Sequence, residues 1–218
     1  MFRETRGFQP FRRRYLRCLP TEPWPADYGL LLFDDSLPVI VDGLEPEKTI
    51  GRYMDNVLIY WSSEMKLYLV QHAEAASKDI DPDRPLTEEG RRDVQKVATF
   101  IKDLNLKVDL LWHSGKARAA QTAGVLAQAV EVRTKMTARD GLGPNDDVNA
   151  MRKELLSGKR DMMIVGHLPF LSKLASLLLT GDKTADTIAF QKGGIVAFEK
   201  TTEGQWQINW MVIPELLI

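Results

Sequence analysis

Lys66-Leu67-Tyr68-Leu69-Val70-Gln71-His72-Ala73-Glu74 is the stretch on which the fold turns. Residues 66–70 form a short, nearly continuous apolar run, the pattern of a strand buried on both faces. Such strands need helices on either side, and the chain downstream supplies them. Thr87 stands where a helix N-cap belongs, with Glu88 and Glu89 in the first turn. Val94, Val97, Ala98, Ile101 and Leu104 then recur at helical spacing. A second strand is expected at 108–112, a helix at 117–130, a third strand at 132–137, and a helix at 148–156 capped near Asn145 or Asp146. Met162-Met163-Ile164-Val165 is another apolar strand, followed by a buried helix over 169–179 with Pro169 at its start. Alternating strands at 194–199 and 206–212 close the chain. Strands alternating with helices predict an α/β protein whose mostly parallel sheet is covered on both faces.

The 218 residues are 44% hydrophobic and 27% charged, with Lys+Arg 29 against Asp+Glu 30. That composition excludes a disordered acidic or basic tail and leaves enough apolar side chains for a large core. A net charge of −1 provides no global field for holding nucleic acid or an anionic membrane, so neither is expected as a partner. Cys18 is the only cysteine, which excludes an internal disulfide framework and any CxxC metal or redox site. No apolar run approaches the ~20 residues that span a bilayer. A soluble, cytoplasmic protein is expected.

Composition divides the chain near Met65. Residues 1–64 open with Arg3, Arg6, Arg12, Arg13, Arg14 and Arg17, continue through Pro20, Pro23 and Pro25, and then turn acidic, with 8 basic and 10 acidic residues in all. They lack the apolar stretch of a secretory signal. They are read as an N-terminal appendage, loosely structured, with a short strand at 30–33 or 57–61, or as a leader ahead of a true start at Met65. Residues 65–218 are the domain in which function is sought.

In open parallel sheets, ligands bind beyond the carboxyl ends of the strands. The first strand delivers Gln71-His72-Ala73-Glu74 there, the second His113-Ser114-Gly115-Lys116-Ala117-Arg118, and the 162–165 strand Gly166-His167-Leu168-Pro169. All 3 histidines of the protein thus fall at one expected edge. A zinc site of three histidines is disfavoured, because no two share helical i, i+3 or i, i+4 spacing and Arg118 would repel a divalent cation. No metal and no cofactor are expected.

Four blocks now carry a resemblance: the run from Leu67 to Ala75; Arg84-Pro85-Leu86-Thr87-x-x-Gly90; Ser114-x-x-x-Arg118-Ala119-x-Gln121-Thr122-Ala123; and Gly166-His167-x-Pro169. In order and spacing they resemble the histidine phosphatase superfamily, and the compact length after Met65 with Leu142-x-Pro144-Asn145-Asp146-Asp147 looks most like its phosphohistidine phosphatase SixA branch. The resemblance spans 65–218 and none of 1–64. It implies a phosphoglycerate mutase-like three-layer α/β/α sandwich, no metal, and an enzyme intermediate phosphorylated on histidine. By resemblance His72 is the nucleophile, a role suited to a ring held just past a rigid strand. Arg118, at a helix start, offers a two-pronged fork to the phosphoryl group. His167 is expected to donate to phosphoryl oxygens when protonated, with a pKa within reach of neutrality. Ser114 and Arg84 border the phosphate, Arg84 having a turn pairing with Asp81 or Asp83 as its alternative. His113 is assigned to structure or the pocket wall.

One departure matters. The family usually has Arg-His-Gly, and here the sequence is Gln71-His72-Ala73. Gln71 can hydrogen-bond a phosphoryl group but brings no charge and no fork. Lys116 is the candidate for restoring that charge, or else a solvated loop lysine. The acid that protonates the leaving group stays open among Glu74, Asp140, Asp146 and Asp147. A phosphohistidine substrate needs little acid help, because imidazole leaves more readily than an alkoxide. The first expectation is therefore a phosphatase acting on a phosphorylated histidine-containing protein of a phosphorelay or phosphotransfer system. The alternatives are a small-molecule phosphomonoesterase or mutase-like enzyme, and a phosphate-binding module impaired at Gln71.

Overall fold

A computed structural model describes residues 65–217; the strands expected at 30–33 and 57–61, with the rest of the appendage, lie outside the described residues. In chain order the described elements are β1 (Met65–Gln71), α1 (Glu88–Lys102), β2 (Lys107–Val108), β3 (Leu110–His113), α2 (Ala117–Leu126), β4 (Glu131–Val132), β5 (Met136–Ala138), α3 (Val148–Ser157), β6 (Met162–Gly166), α4 (Phe170–Thr180), β7 (Ile195–Lys200) and β8 (Trp206–Val212), followed by a 3₁₀ turn at Pro214–Leu216. The main sheet runs β5-β3-β6-β1-β7-β8. Its pairings are parallel from β5 to β1 and antiparallel through β7 and β8. A separate parallel pair joins β2 and β4.

Two-residue periodicity along the central strands produces the layers. Leu67 and Leu69 of β1 join Met162 and Ile164 of β6 in a core with Met151 and Leu155 of α3 and Leu171 and Leu174 of α4. Tyr68, Val70, Met163 and Val165 point the other way, into a core with Val94, Val97 and Ile101 of α1 and Ala119, Ala123 and Leu126 of α2. Each Val, Leu, Ile or Met among them stabilises the fold by roughly 1.5–3 kcal/mol on full burial. The expected three-layer α/β/α sandwich with a mostly parallel sheet is the observed one.

Several boundaries differ from the sequence reading, each for a local reason. The strand expected at 108–112 breaks at Asp109, whose amide, like that of Leu110, turns to the Asp161 carbonyl at 2.8 and 3.1 Å. Asp109 also holds Arg133 at 2.8 Å and Thr134 at 2.7 Å, which splits the strand expected at 132–137 into β4 and β5. The helix expected to reach 130 ends at Leu126, so that Glu131 can bond the Leu106 carbonyl at 2.9 Å. The cap of α3 is Asp147, which accepts from the Asn149 amide at 3.0 Å, in place of Asn145 or Asp146. Pro169 lies just before α4, after a cis Leu168–Pro169 bond. Among the described residues no helix is long and apolar enough to cross a membrane.

Candidate active site

β3, β6 and β1 are neighbours in the sheet, so the residues following them meet at one edge. The His72 amide extends the ladder past β1 to the Gly166 carbonyl at 3.1 Å. Its ring Nδ1 lies 2.7 Å from the Ala73 carbonyl oxygen. A carbonyl only accepts, so Nδ1 carries the hydrogen and the lone pair is left on Nε2. Arg118 Nε donates to that Nε2 at 3.2 Å. Burial lowers the His72 pKa below its ordinary 6.5; the Ala73 bond opposes this, and the charges of Arg118, Arg84 and Lys192 lower it further. The ring is neutral at pH 7, with Nε2 facing a guanidinium.

His167 packs beside it, ring centroids 4.9 Å apart and tilted by 57°. Its Nε2 is 2.6 Å from Ser114 Oγ, while its buried Nδ1 has no partner. Here the sequence expectation is corrected. The pKa of His167 is pushed down to about 3, first by burial and then by the charges of His72, Arg118, Lys116 and Arg84. In the unliganded pocket the ring is neutral at pH 7.

The supports of this pair lie in the motif residues. Thr122, fully buried on α2, accepts from the Ala73 amide at 3.1 Å and donates to the Arg118 carbonyl at 2.8 Å. One hydroxyl thus ties the His72 loop to the helix that carries Arg118. Gln121 Oε1 accepts from the Leu86 amide at 2.7 Å, fastening the Arg84-containing loop to the same helix. Gly90 of α1 must lack a side chain, because a Cβ there would stand 2.2 Å from the Glu74 carbonyl oxygen. Gly115 has φ +78°, a left-handed turn that glycine adopts without strain.

Comparison with known proteins decides the family. Residues 67–143 match the model of the histidine phosphatase superfamily, branch 1. The chain is 31% identical to an uncharacterized protein of Picosynechococcus sp. PCC 7002 over 139 residues, 61% of this chain and 83% of that protein. The chain belongs to the histidine phosphatase superfamily. It is 23% identical to phosphohistidine phosphatase SixA of Escherichia coli over 155 residues, covering 69% of this chain and 94% of SixA. A structure of the protein histidine phosphatase SixA complexed with tungstate shares the fold, with a TM-score of 0.62, 22% identity, and coverage of 70% of this chain and 99% of that one. The family and the similarity to the SixA sequence support a phosphatase.

The other superfamily-motif positions divide. Arg84 is brought in: it sits at φ +52°, donates through Nε to the Ala76 carbonyl at 3.1 Å, and its charge is felt by His72, Arg118 and His167. It forms no ion pair with Asp81 or Asp83. Lys116 is exposed at the N-cap of α2, and its charge acts on His167. Gln71 is buried at the end of β1, where it lines a neighbouring cleft, and its Oε1 has no hydrogen-bond partner. His113 shapes its turn, its Nδ1 accepting from the Gly115 amide at 3.2 Å.

Of the four acid candidates, Asp146 accepts from the Gly143 amide at 2.6 Å and Asp147 caps α3. Asp140 is exposed. Glu74 is ion-paired to Lys192, which lowers its pKa and holds it ionised. Lys192 was not singled out in the sequence. It arrives just before β7, which runs antiparallel to β1 with Ile195 opposite Val70.

Proposed function

We propose that the chain is a phosphatase that removes phosphoryl groups from histidine on a partner protein, through an intermediate phosphorylated on His72. The observation that carries this reading is the His72 ring itself: Nδ1 is tied to the Ala73 carbonyl, and the Nε2 lone pair faces Arg118 at 3.2 Å.

The Nε2 lone pair attacks phosphorus, the substrate's P–N bond breaks, and the departing imidazole keeps that electron pair and takes a proton from water. A second water then attacks the phosphohistidine, freeing inorganic phosphate and returning His72 neutral. Arg118 and Arg84 neutralise charge on the equatorial oxygens, with Lys192 adding to their field. Ser114 orients His167. An incoming phosphoryl anion reverses the sign of the field at His167 and favours its protonation, which makes it a donor once substrate is bound.

Two observations support histidine as the substrate group. Glu74 is held ionised and Asp147 is committed as a helix cap, so neither is a protonated acid for an alkoxide. The similarity to SixA points the same way. Because Arg118, Arg84 and Lys192 all act on His72, Gln71 does not leave the site without charge. The test is hydrolysis by the purified chain of a phosphorylated histidine-containing phosphotransfer protein, beside an aryl phosphate. Release of phosphate from the protein at a kcat/KM well above that for the aryl phosphate is expected. Hydrolysis of the aryl phosphate alone refutes the proposed substrate.

A further inference from the structure

A cleft of about 430 Å³ has a wall that includes Gln71, Glu74, Glu89, Asp93, Lys192 and Glu215. Glu89 and Asp93 stand i, i+4 on one face of α1, and Glu215 comes from the 3₁₀ turn that packs against that helix. Lys192 is taken up by Glu74, and Asp93 has only an exposed partner in Lys96 at 3.9 Å. Glu89 and Glu215 have no ion pair among the described residues. The cleft is therefore anionic, directly beside a pocket dominated by arginine.

Gln71 makes this more than a cluster of acids. Its residue is only 8% exposed, it lines the cleft, and its Oε1 is buried with no hydrogen-bond partner. Buried carbonyl oxygens are nearly always bonded, so an unmatched one marks a place for an incoming N–H donor. Rotation about χ3 exchanges the two ends of the amide, so either can be turned to the cleft. A ligand that meets both demands is cationic and carries N–H groups. The carboxylates do not suit a metal ion, since no group of three or more His, Cys, Asp or Glu among the described residues could hold one.

We propose that this cleft is a specificity subsite that binds a lysine or arginine side chain lying close to the phosphohistidine on the substrate protein. The inference rests on the function proposed above. Gln71, which lines the cleft, immediately precedes His72, and Lys192, which lines it too, acts on His72 by its charge, so the subsite adjoins the attacking ring. The site is bipolar: cations take the phosphoryl group while anions take its basic neighbour. A basic residue placed in the arginine pocket is repelled, and an acidic one placed in the cleft is repelled too, which gives selection by sign.

The test uses three chemically phosphorylated histidine peptides, identical except for lysine, norleucine or glutamate a few residues from the phosphohistidine. The full chain should turn over the lysine peptide with a kcat/KM about tenfold above the norleucine peptide, and the glutamate peptide less well still. Salt should erode the ratio, because exposed charges are screened. Combined Glu89→Gln, Asp93→Asn and Glu215→Gln changes should bring the ratio to about one; Glu215→Lys, at an exposed position, should do so in part. Equal kcat/KM for the lysine and norleucine peptides with the unmodified chain overturns the subsite. A preference confined to O-phosphoethanolamine over ethyl phosphate also overturns it, by transferring the cleft to small amines. If no peptide is turned over, the proposed function fails, and the subsite is judged by titrating ¹⁵N-labelled chain with the unphosphorylated lysine peptide. A shift of the Gln71 side-chain amide with that peptide, absent with its acetyl-lysine version, upholds cation binding; no shift overturns it.

Discussion

Replacing Thr122 by valine keeps the shape of the side chain and removes its hydroxyl. Thr122 is fully buried, and its Oγ1 is the acceptor for the Ala73 amide at 3.1 Å. Ala73 is itself buried, so no water replaces the lost acceptor. An amide left unsatisfied in that way costs about 1–3 kcal/mol. At about 2–4 °C per kcal/mol for a domain of this size, Tm should fall by roughly 2–12 °C. The Arg118 carbonyl also loses its 2.8 Å bond to the hydroxyl. The effect on turnover follows from the same geometry. The Ala73 peptide supplies the carbonyl that holds His72 Nδ1 at 2.7 Å, so a shift of the loop turns Nε2 away from Arg118. Misplacement by about 1 Å is enough to cost about a hundredfold in rate. Thr122→Val should therefore lower kcat by about 10–100-fold, measured well below the Tm of either protein, with a smaller change in KM. Thr122→Ser keeps the hydroxyl and should recover most of kcat even where Tm stays lowered. A Thr122→Val protein with reduced Tm but undiminished kcat would show that the hydroxyl serves only the fold. An unchanged Tm would refute the hydrogen-bond argument itself.

Other outcomes test the remaining parts of the site. His72→Ala removes the nitrogen proposed to attack, so turnover of every phosphorylated substrate should vanish together with the acid-labile, alkali-stable phosphoryl label expected on the unmodified chain; substantial turnover would sink the mechanism. The lowered pKa of His72 means that its lone pair survives to lower pH than in a free histidine. Plots of kcat/KM against pH should then be level near neutrality and fall toward acid with an apparent pKa below 6.5, as Nε2 takes up a proton; a limb centred above that value would contradict the assigned nucleophile. Lys192→Met should lower kcat/KM about two- to fivefold, the scale of one exposed charge contact. Gln71→Arg should recover part of that loss, and strict additivity in the four-protein cycle would show that the two positions do not share a role.

Much of the fold was legible in residues 66–70 and 162–165, because an apolar run of strand length is stable only between two helical layers. The positions of His72, Ser114, Arg118 and His167 followed from the same reading, since parallel strands deliver what comes after them to one edge. That rule is also why Lys192 escaped it. β7 runs antiparallel to β1, so it brings to that edge the residue that precedes it, and nothing in the local sequence marks the reversal. Strand breaks at Asp109 and between β4 and β5 were equally hidden, because they depend on Asp161 and on pairings distant in the chain. The state of His167 was decided by burial and by the sum of neighbouring charges, so the ring expected to titrate near neutrality is held neutral well below it. The surroundings of Gln71 were decided in the same way: the sequence names an amide, and only packing makes it part of the wall of the acidic cleft. Local pattern determines which residues can form a strand, a cap or a helix face. Which charges meet across the finished edge depends on the directions in which distant strands arrive.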